Sequence, residues 1–327
     1  LYYYPKGSLA INLNEFGFWS ESSKWNQFKL RAAYGEAGNF PPFGALFTSY
    51  TSFTTEGLLG ISLRGVRGDA AINPERQKEL EFGTDLGFFN GRLSLSGTYY
   101  IKTIDDLILN SSLPPSSGFT TEFVNAGELQ NKGIELGLNA TPFESDNFSW
   151  DIGVNWFKNK SEITRLDVEP FNVGAFGATL GTYRIEEGFS ATQIVGIGPN
   201  PGPNGFQVWG DSEPDFQMGV NNSLRYKNVD LSFLFQWKKG GDNINLSALL
   251  TDLNGTSHDY DTIDLDPNGE LGNGPYRVSQ LGSSAGVFVE DASYLRLREL
   301  GIYYTVPGKM LANVLNGSID SVKFGFS

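Results

Sequence analysis

One stretch of this chain has the spacing of a metal loop: Asp264-Leu265-Asp266-Pro267-Asn268-Gly269 reproduces the opening of a calcium-binding loop. Oxygens at alternate positions can converge on one hard cation while the glycine permits the sharp turn. Position twelve of such a loop falls on Pro275, where a bidentate carboxylate is needed, and no helix is expected on either side. Asp264, Asp266 and Asn268 are therefore read first as a solvated Pro-Asn-Gly turn, with a weaker calcium site completed by Asp261, Glu270 or another loop as the rival. No cofactor is required, and Ca2+ is the ion this motif admits.

Catalysis finds little material. The single histidine, His258, lies in the polar run Thr256-Ser257-His258-Asp259-Tyr260, with no second histidine for a metal pair and no nucleophile elbow beside it. It reads as a solvated loop residue. Gly196-Ile197-Gly198-Pro199-Asn200-Pro201-Gly202 has the glycines of a phosphate loop, but its prolines forbid the helix whose N-terminus would hold the phosphate. A rigid turn is expected there. The chain has no cysteine, which removes thiolate nucleophiles, thiolate zinc sites and disulfide frameworks. We expect a protein that is not an enzyme.

Binding is better supplied. Phe43, Tyr50, Phe171, Tyr183, Trp209 and Tyr260 sit in long irregular stretches, where rings can stack on sugars or pack on peptide side chains. Packing of these loops on one another is the competing role for any single ring. A net charge of -13 argues against nucleic acid, because a phosphate backbone calls for clustered Lys and Arg.

These stretches hang between segments of regular pattern. Leu93, Leu95, Gly97, Tyr99 and Ile101 share one side of a strand whose other side carries Arg92, Ser94, Ser96, Thr98 and Tyr100. The same division puts Phe82 and Leu86 opposite Glu79, Glu81 and Asp85, and puts Leu136, Ile152 and Val154 opposite Glu135 and Asp151. Ten strands follow: Leu9–Asn14, Gln27–Tyr34, Glu79–Phe88, Arg92–Lys102, Lys132–Thr141, Phe148–Lys158, Phe216–Tyr226, Asp230–Trp237, Tyr294–Tyr304 and Ile319–Phe326. The apolar phase changes inside Tyr294–Tyr304, so a β-bulge is expected near Arg298-Glu299.

Connections alternate between short and very long. Phe89-Asn90-Gly91, Pro142 to Asn147 and Lys227-Asn228 are tight, whereas Phe40–Ile72, Thr103–Gln130, Asn159–Asp215 and Lys238–Asp291 are long. That rhythm belongs to a transmembrane β-barrel, with short turns toward the periplasm and long loops outside. Ten residues at about 3.3 Å each, tilted about 40°, rise roughly 25 Å, the height of an outer-membrane apolar band. Aromatic residues at strand ends, Tyr34, Tyr99, Trp150, Trp156, Tyr226, Trp237 and Tyr304, suit a membrane interface. A water-soluble β-sandwich or solenoid is the competing fold, and its strands are usually shorter. No apolar run is long enough for a transmembrane helix. Residues 1–327 read as one architecture, an all-β transmembrane antiparallel barrel portion whose two open edges need further wall from elsewhere.

Four blocks, in order, resemble the SusC/RagA-type TonB-dependent outer-membrane transporters. They are Phe28-Lys29-Leu30-Arg31-Ala32-Ala33-Tyr34-Gly35-Glu36-Ala37-Gly38-Asn39; Asn73-Pro74-Glu75 with Glu79 to Gly87 and Asn90-Gly91-Arg92-Leu93; Asn125-Ala126-Gly127-Glu128-Leu129-Gln130-Asn131-Lys132-Gly133-Ile134-Glu135-Leu136; and Phe288-Val289-Glu290-Asp291-Ala292-Ser293-Tyr294-Leu295-Arg296-Leu297-Arg298. The resemblance implies a barrel of about 22 strands around an N-terminal plug, of which this chain supplies part of the second half. The family's plug, its TonB-contacting segment and its final strands have no counterpart here. It further implies import of oligosaccharides or peptides across the bacterial outer membrane, energised through TonB, with a SusD-like lipoprotein lidding the outer mouth. Membrane lipid and the glycan or peptide substrate complete the expected partners, and higher-order assembly stays open. The alternatives are a passive porin or barrel-anchored surface adhesin, and a soluble extracellular β-sheet binding protein.

Overall fold

A computed structural model describes residues 2–19, 24–174, 176–315 and 321–327, the side chains of 312–315 excepted. Ten strands form one continuous antiparallel sheet. They are β1 (Lys6–Asn12), β2 (Trp25–Asn39), β3 (Glu75–Phe88), β4 (Leu93–Asp105), β5 (Gly127–Glu144), β6 (Phe148–Leu166), β7 (Phe216–Tyr226), β8 (Val229–Lys239), β9 (Tyr294–Pro307) and β10 (Ser321–Phe326). Each strand pairs with the one before and after it in the chain, so the sheet is a meander. All ten expected strands are present, several of them longer than the pattern suggested. Residues 319 and 320 of the last expected strand lie outside the described residues.

Register follows the alternation. The row Leu138, Val154, Val220, Phe235, Leu297 runs across five strands on one face. Directly across the sheet the row Ser96, Gly137, Asn155, Gly219, Gln236, Arg296 shares the other. A one-residue slip anywhere would exchange these faces. Register does shift in β9, where Glu299 pairs with Leu234 but Leu297 pairs with Phe235, leaving Arg298 as the extra residue. This is the expected bulge, and it returns Leu300 and Ile302 to the apolar face.

The β5–β6 turn differs from expectation. Strand β5 continues through Pro142 to Glu144, and only Ser145-Asp146-Asn147 turn. A register shift between Ala140 and Phe143 absorbs the difference. Proline, which has no N–H for the ladder, is tolerated at such a bulge. In the β3–β4 turn Phe89, Asn90 and Gly91 all have positive φ, which asparagine tolerates and glycine adopts freely.

Packing is inverted relative to a water-soluble protein. Phe82, Ile134, Leu136, Leu297, Leu300 and Ile302 remain exposed on the wall. The buried hydrophobic residues gather above it instead. Leu109 and Ala126 from the β4–β5 connection meet Ile163 at the tip of β6 and Phe171 and Ile185 from the β6–β7 connection. Ile194, Val195, Ala285 and Phe288 are almost wholly enclosed where the β6–β7 and β8–β9 connections meet. No second sheet covers the apolar face among the described residues, so the sandwich reading fails. A broad apolar surface of this kind suits lipid.

The long connections are therefore structured. The β6–β7 connection carries a four-stranded sheet of Phe171–Val173, Thr182–Ile185, Gln193–Gly196 and Gln207–Asp211. In the β8–β9 connection, helices α1 (Leu246–Leu253) and α2 (Asn273–Ser279) stand between the paired segments Asp242–Ile244 and Val289–Asp291. These helices correct the expectation of none around the acidic loop. Asn245 caps α1 by accepting from the Ala248 N–H at 3.0 Å, and Leu246, Leu249, Leu250 and Leu253 follow at helical spacing.

Candidate functional site

Two regions could meet a ligand, the polar face of the wall and the loop bodies above it. On the wall, Arg31 forms an ion pair with Asp85 at 3.0 Å and donates to Thr98 Oγ1 at 3.3 Å. Glu79, Glu81 and Glu135 face an open cavity of about 540 Å³ together with Arg31, Tyr100 and Asn159. Tyr100 donates to Asn159 Oδ1 at 2.9 Å, and Asn159 Nδ2 donates to Asn131 at 3.2 Å and also to Glu213. The ring of Tyr100 needs Gly133 opposite, because a Cβ there would lie 2.2 Å from it. Glu79, Glu81, Asp85, Glu135 and Asp151 therefore share the wet face, as their alternation predicts.

That face continues upward into the loops. Glu213 accepts from the Ser161 N–H at 2.9 Å, and Ser161, Ser190 and Thr192 link through their hydroxyls to Asp211. Asp211 N–H donates to Asp242 Oδ2 at 3.0 Å, which ties the β6–β7 connection to the β8–β9 connection. Wall, third loop and fourth loop form one hydrogen-bonded unit. Pattern alone could not reveal it, since the partners lie far apart in the chain.

The loop aromatics divide. Phe43 and Tyr50 are exposed, at 107% and 72%. Phe171 is buried in the loop core. Trp209 donates its indole N–H to Ile197 O at 3.1 Å and lies against Gly196 and Gly286, where a Cβ would have no room. Tyr183 accepts from the Ser212 hydroxyl at 3.2 Å, and Tyr260 packs on Gly274. Phe171 and Trp209 thus work in packing, Tyr183 and Tyr260 are half-buried, and only Phe43 and Tyr50 stand open.

The acidic loop is organised by its own backbone. Asp266 is buried, and its carboxylate accepts the N–H groups of Asn268, Glu270 and Leu271 at 3.1, 3.0 and 2.9 Å. Those donors hold its carboxyl below the usual range. Asp264 and Asn268 are exposed. Among the described residues no cluster of three or more His, Asp or Glu side chains is placed to hold a metal. His258 is 97% exposed at its side chain. The Gly196–Gly202 stretch is a strand end and turn, with Gly202 N–H donating to Phe206 O at 2.7 Å.

Beside that loop lies a constellation the motifs did not reveal. Arg277 of α2 donates to both oxygens of Asp252 on α1, each at 2.7 Å, and to both oxygens of Asp259 at 2.8 and 2.9 Å. Arg277 and Asp252 are buried, and Asn273 adds a donor to Asp259 at 3.1 Å. Hydrogen bonds from Arg277 hold the Asp259 carboxyl well below the usual carboxylate range, and the two carboxylates raise the guanidinium in turn. Four of the five guanidinium N–H groups are spent on these two carboxylates, which tie α2 to α1 and to the segment between them.

Comparison with known proteins agrees with this architecture. The family described as "TonB dependent receptor-like, beta-barrel" matches residues 5–316. TonB-dependent receptor P3 of Formosa agariphila is 28% identical over 94% of this chain and 35% of its own length. TonB-dependent receptor SusC of Bacteroides thetaiotaomicron is 22% identical over 97% of this chain and 37% of its own length. The chain thus spans roughly a third of the curated relatives it matches. Among solved structures, one described as the RagAB peptide transporter superposes with a TM-score of 0.75 at 20% identity, covering 99% of this chain and 40% of that one, which shows the shared fold. The family comprises receptors and transporters of the outer membrane, and it is not an enzyme family. Ten meandering strands with a lipid face and a wet face are the wall of such a barrel, and the chain belongs to the TonB-dependent receptor-like β-barrel family.

Proposed function

We propose that this chain forms part of the wall and the outer loops of an importer that carries oligosaccharides or peptides across the outer membrane. Energy enters through TonB, and a SusD-like lipoprotein covers the outer mouth. The observation that carries this reading is the continuity of the wet face. Its carboxylates and amides run up β3 to β6 and pass without a break, through Asn159, Glu213 and Asp211, into loop bodies at one end of the sheet. A passive pore needs only an open lumen, whereas a substrate gate needs loops held rigidly to the wall that must sense it. The likeness to a structure described as the RagAB peptide transporter supports the peptide arm, and the carbohydrate arm rests on the family resemblance of the four sequence blocks.

The test is uptake by whole cells of labelled oligosaccharides and peptides above porin size, with and without TonB. Uptake that requires both this gene and TonB supports the proposal. Uptake that persists without TonB identifies a passive porin and refutes it.

A further inference from the structure

The apolar face of the wall ends differently at its two ends. Toward the long loops, Lys132 lies beyond Ile134 on β5, Lys158 and Lys160 beyond Trp156 on β6, and Lys239 beyond Trp237 on β8, each in the apolar register. On β3 the same phase passes from Phe82 and Leu80 to Lys78 and Arg76. Toward the short turns it ends in Phe88, Phe143, Trp150, Tyr226 and Tyr304 instead. Lys227 at that end sits in a turn, over the Tyr226 ring at 5.4 Å from its centroid. Cations on the lipid side of the strands thus gather at the loop end.

Some of these charges are answered within the protein. Arg76 pairs with Glu36, Lys78 pairs with Asp105, and Lys239 lies in the field of Asp291. Lys132, Lys158 and Lys160 have no such partner. All three are exposed, and among the described residues none of them is held in an ion pair or a side-chain hydrogen bond. Lys132 is directly opposite Lys160, and Lys158 is opposite Ile134, diagonal to Lys132. Their Cβ atoms therefore lie about 5 to 8 Å apart, and like charges directly opposite destabilise a strand pair. Glu162 follows on the same face, opposite Gln130, but forms no ion pair with Lys160. Such a triad suits an anion with more than one charge. Its height is set by Phe216, whose ring lies 6.1 Å from Trp156 and 5.0 Å from Trp237, an aromatic belt at the edge of the apolar band. Lys158 is two residues beyond Trp156, roughly 5 Å higher along the membrane normal. Lysine stems can lie on the apolar wall and lift their ammonium groups to headgroup level.

We propose that Lys132, Lys158 and Lys160 form a docking site for a phosphorylated glycolipid of the outer leaflet, a diphosphorylated glucosamine headgroup of the lipid A type. Its phosphates bridge the three ammonium groups and relieve the repulsion between Lys132 and Lys160. Below them Ile134 and Leu136, both exposed, continue the apolar face as a track for the acyl chains. That track favours an amphiphile over a free anion, and the outward direction of the triad keeps it apart from any substrate in the lumen. The site goes beyond import and rests only on the lipid face of the wall and the outward orientation of the long loops.

The test is native mass spectrometry of the intact purified receptor in phosphatidylcholine nanodiscs doped with diphosphoryl lipid A, dephosphorylated lipid A or phosphatidylglycerol, counting the lipid retained. Diphosphoryl lipid A should be retained above the other two. A basic residue near an anionic membrane surface contributes roughly fivefold, so changing all three lysines to Gln should weaken retention by at least roughly tenfold. Changing all three to Arg should preserve it. Changing Lys29, Lys102 and Lys238 to Gln removes as much charge from the wet face and should leave retention unchanged. Heat-modifiable gel mobility reports whether each barrel is folded; should the triple Gln variant fail to fold, Lys132→Gln alone should still lose roughly fivefold. Equal retention of phosphorylated and dephosphorylated lipid, unchanged retention in the Gln variants, an equal loss in the wet-face variant, or displacement of the lipid by an equal concentration of inorganic phosphate each overturns the inference. Retention is read without uptake, so TonB-independent uptake would refute the import reading and leave this site standing.

Discussion

Replacing Phe233 with Arg should destabilise the wall far more than replacing Ser223 with Arg, although the two positions lie at nearly the same height. Phe233 is paired with Asn222 and Leu300 on the apolar face. It lies four residues from Trp237, in the row with Trp156 and Met218, and four residues from Val229, in the row with Tyr226 and Tyr304. At about 3.3 Å per residue and a tilt of about 40°, each row is roughly 10 Å away along the membrane normal. Phe233 thus occupies the middle of the apolar band. A charge there costs about 2 to 4 kcal/mol, roughly a thirtyfold to several hundredfold change in the folded ratio. Ser223 is opposite Asp151 and Ser232 on the wet face, so an arginine there reaches water and a carboxylate, and should cost less than about 1 kcal/mol. Guanidinium unfolding of the barrel in lipid vesicles, followed by tryptophan fluorescence, reads the difference. Equal losses at the two positions would refute the assignment of faces.

Arg277→Met should loosen the fourth loop body by about 3 to 5 kcal/mol, because Asp252 would stay buried without its partner; hydrogen exchange over Leu246–Ser279 should rise while the wall strands keep their protection. Arg277→Lys should rescue little, since an ammonium cannot serve both carboxylates as the guanidinium fork does. The folded-state carboxyl of Asp259 is depressed by its bonds from Arg277, so the stability it contributes is present above its unfolded pKa of about 3.9 and is lost as the pH falls below that value. Exchange in the same segment should therefore accelerate below about pH 4 and stay flat between about pH 5 and 8; acceleration on the alkaline side instead would contradict this. Gly133→Ala should displace Tyr100 from Asn159 and cost about 1 to 3 kcal/mol, measured by the same unfolding assay, whereas the double change with Tyr100→Ala should recover most of the loss.

The wall was legible because one periodicity carries both the strand and its environment. Phe82 and Glu81 could be assigned to opposite faces from neighbouring letters, and the phase change in Tyr294–Tyr304 located the bulge at Arg298. The loop bodies were not legible, for two physical reasons. Their cores are built from single residues of separate connections, such as Leu109, Ile163 and Phe171, with no period to reveal them. Their ion pairs join residues 18 and 25 positions apart, as Arg277 does with Asp259 and Asp252. One element could have been found: Asn245 before leucines at helical spacing is a cap signal, and the surrounding polar letters hid it. The aromatic signal was too general. It offered Phe171 and Trp209 as ligand-facing rings with loop packing as the rival role, and packing is the role that the burial of Phe171 and the indole hydrogen bond of Trp209 show.

Because the chain has no cysteine, single cysteines can report which end of the sheet faces outward. Thr256→Cys lies in the fourth long connection and Asn90→Cys in the short β3–β4 turn at the opposite end of the wall. Intact cells expressing each variant are treated with a membrane-impermeant maleimide, and the labelled fraction is compared with that in lysed cells. An outer-membrane barrel with its long loops outside predicts strong labelling of Thr256→Cys in intact cells and labelling of Asn90→Cys only after lysis. Labelling of Asn90→Cys in intact cells with Thr256→Cys protected would contradict the orientation on which the whole account of the loops depends.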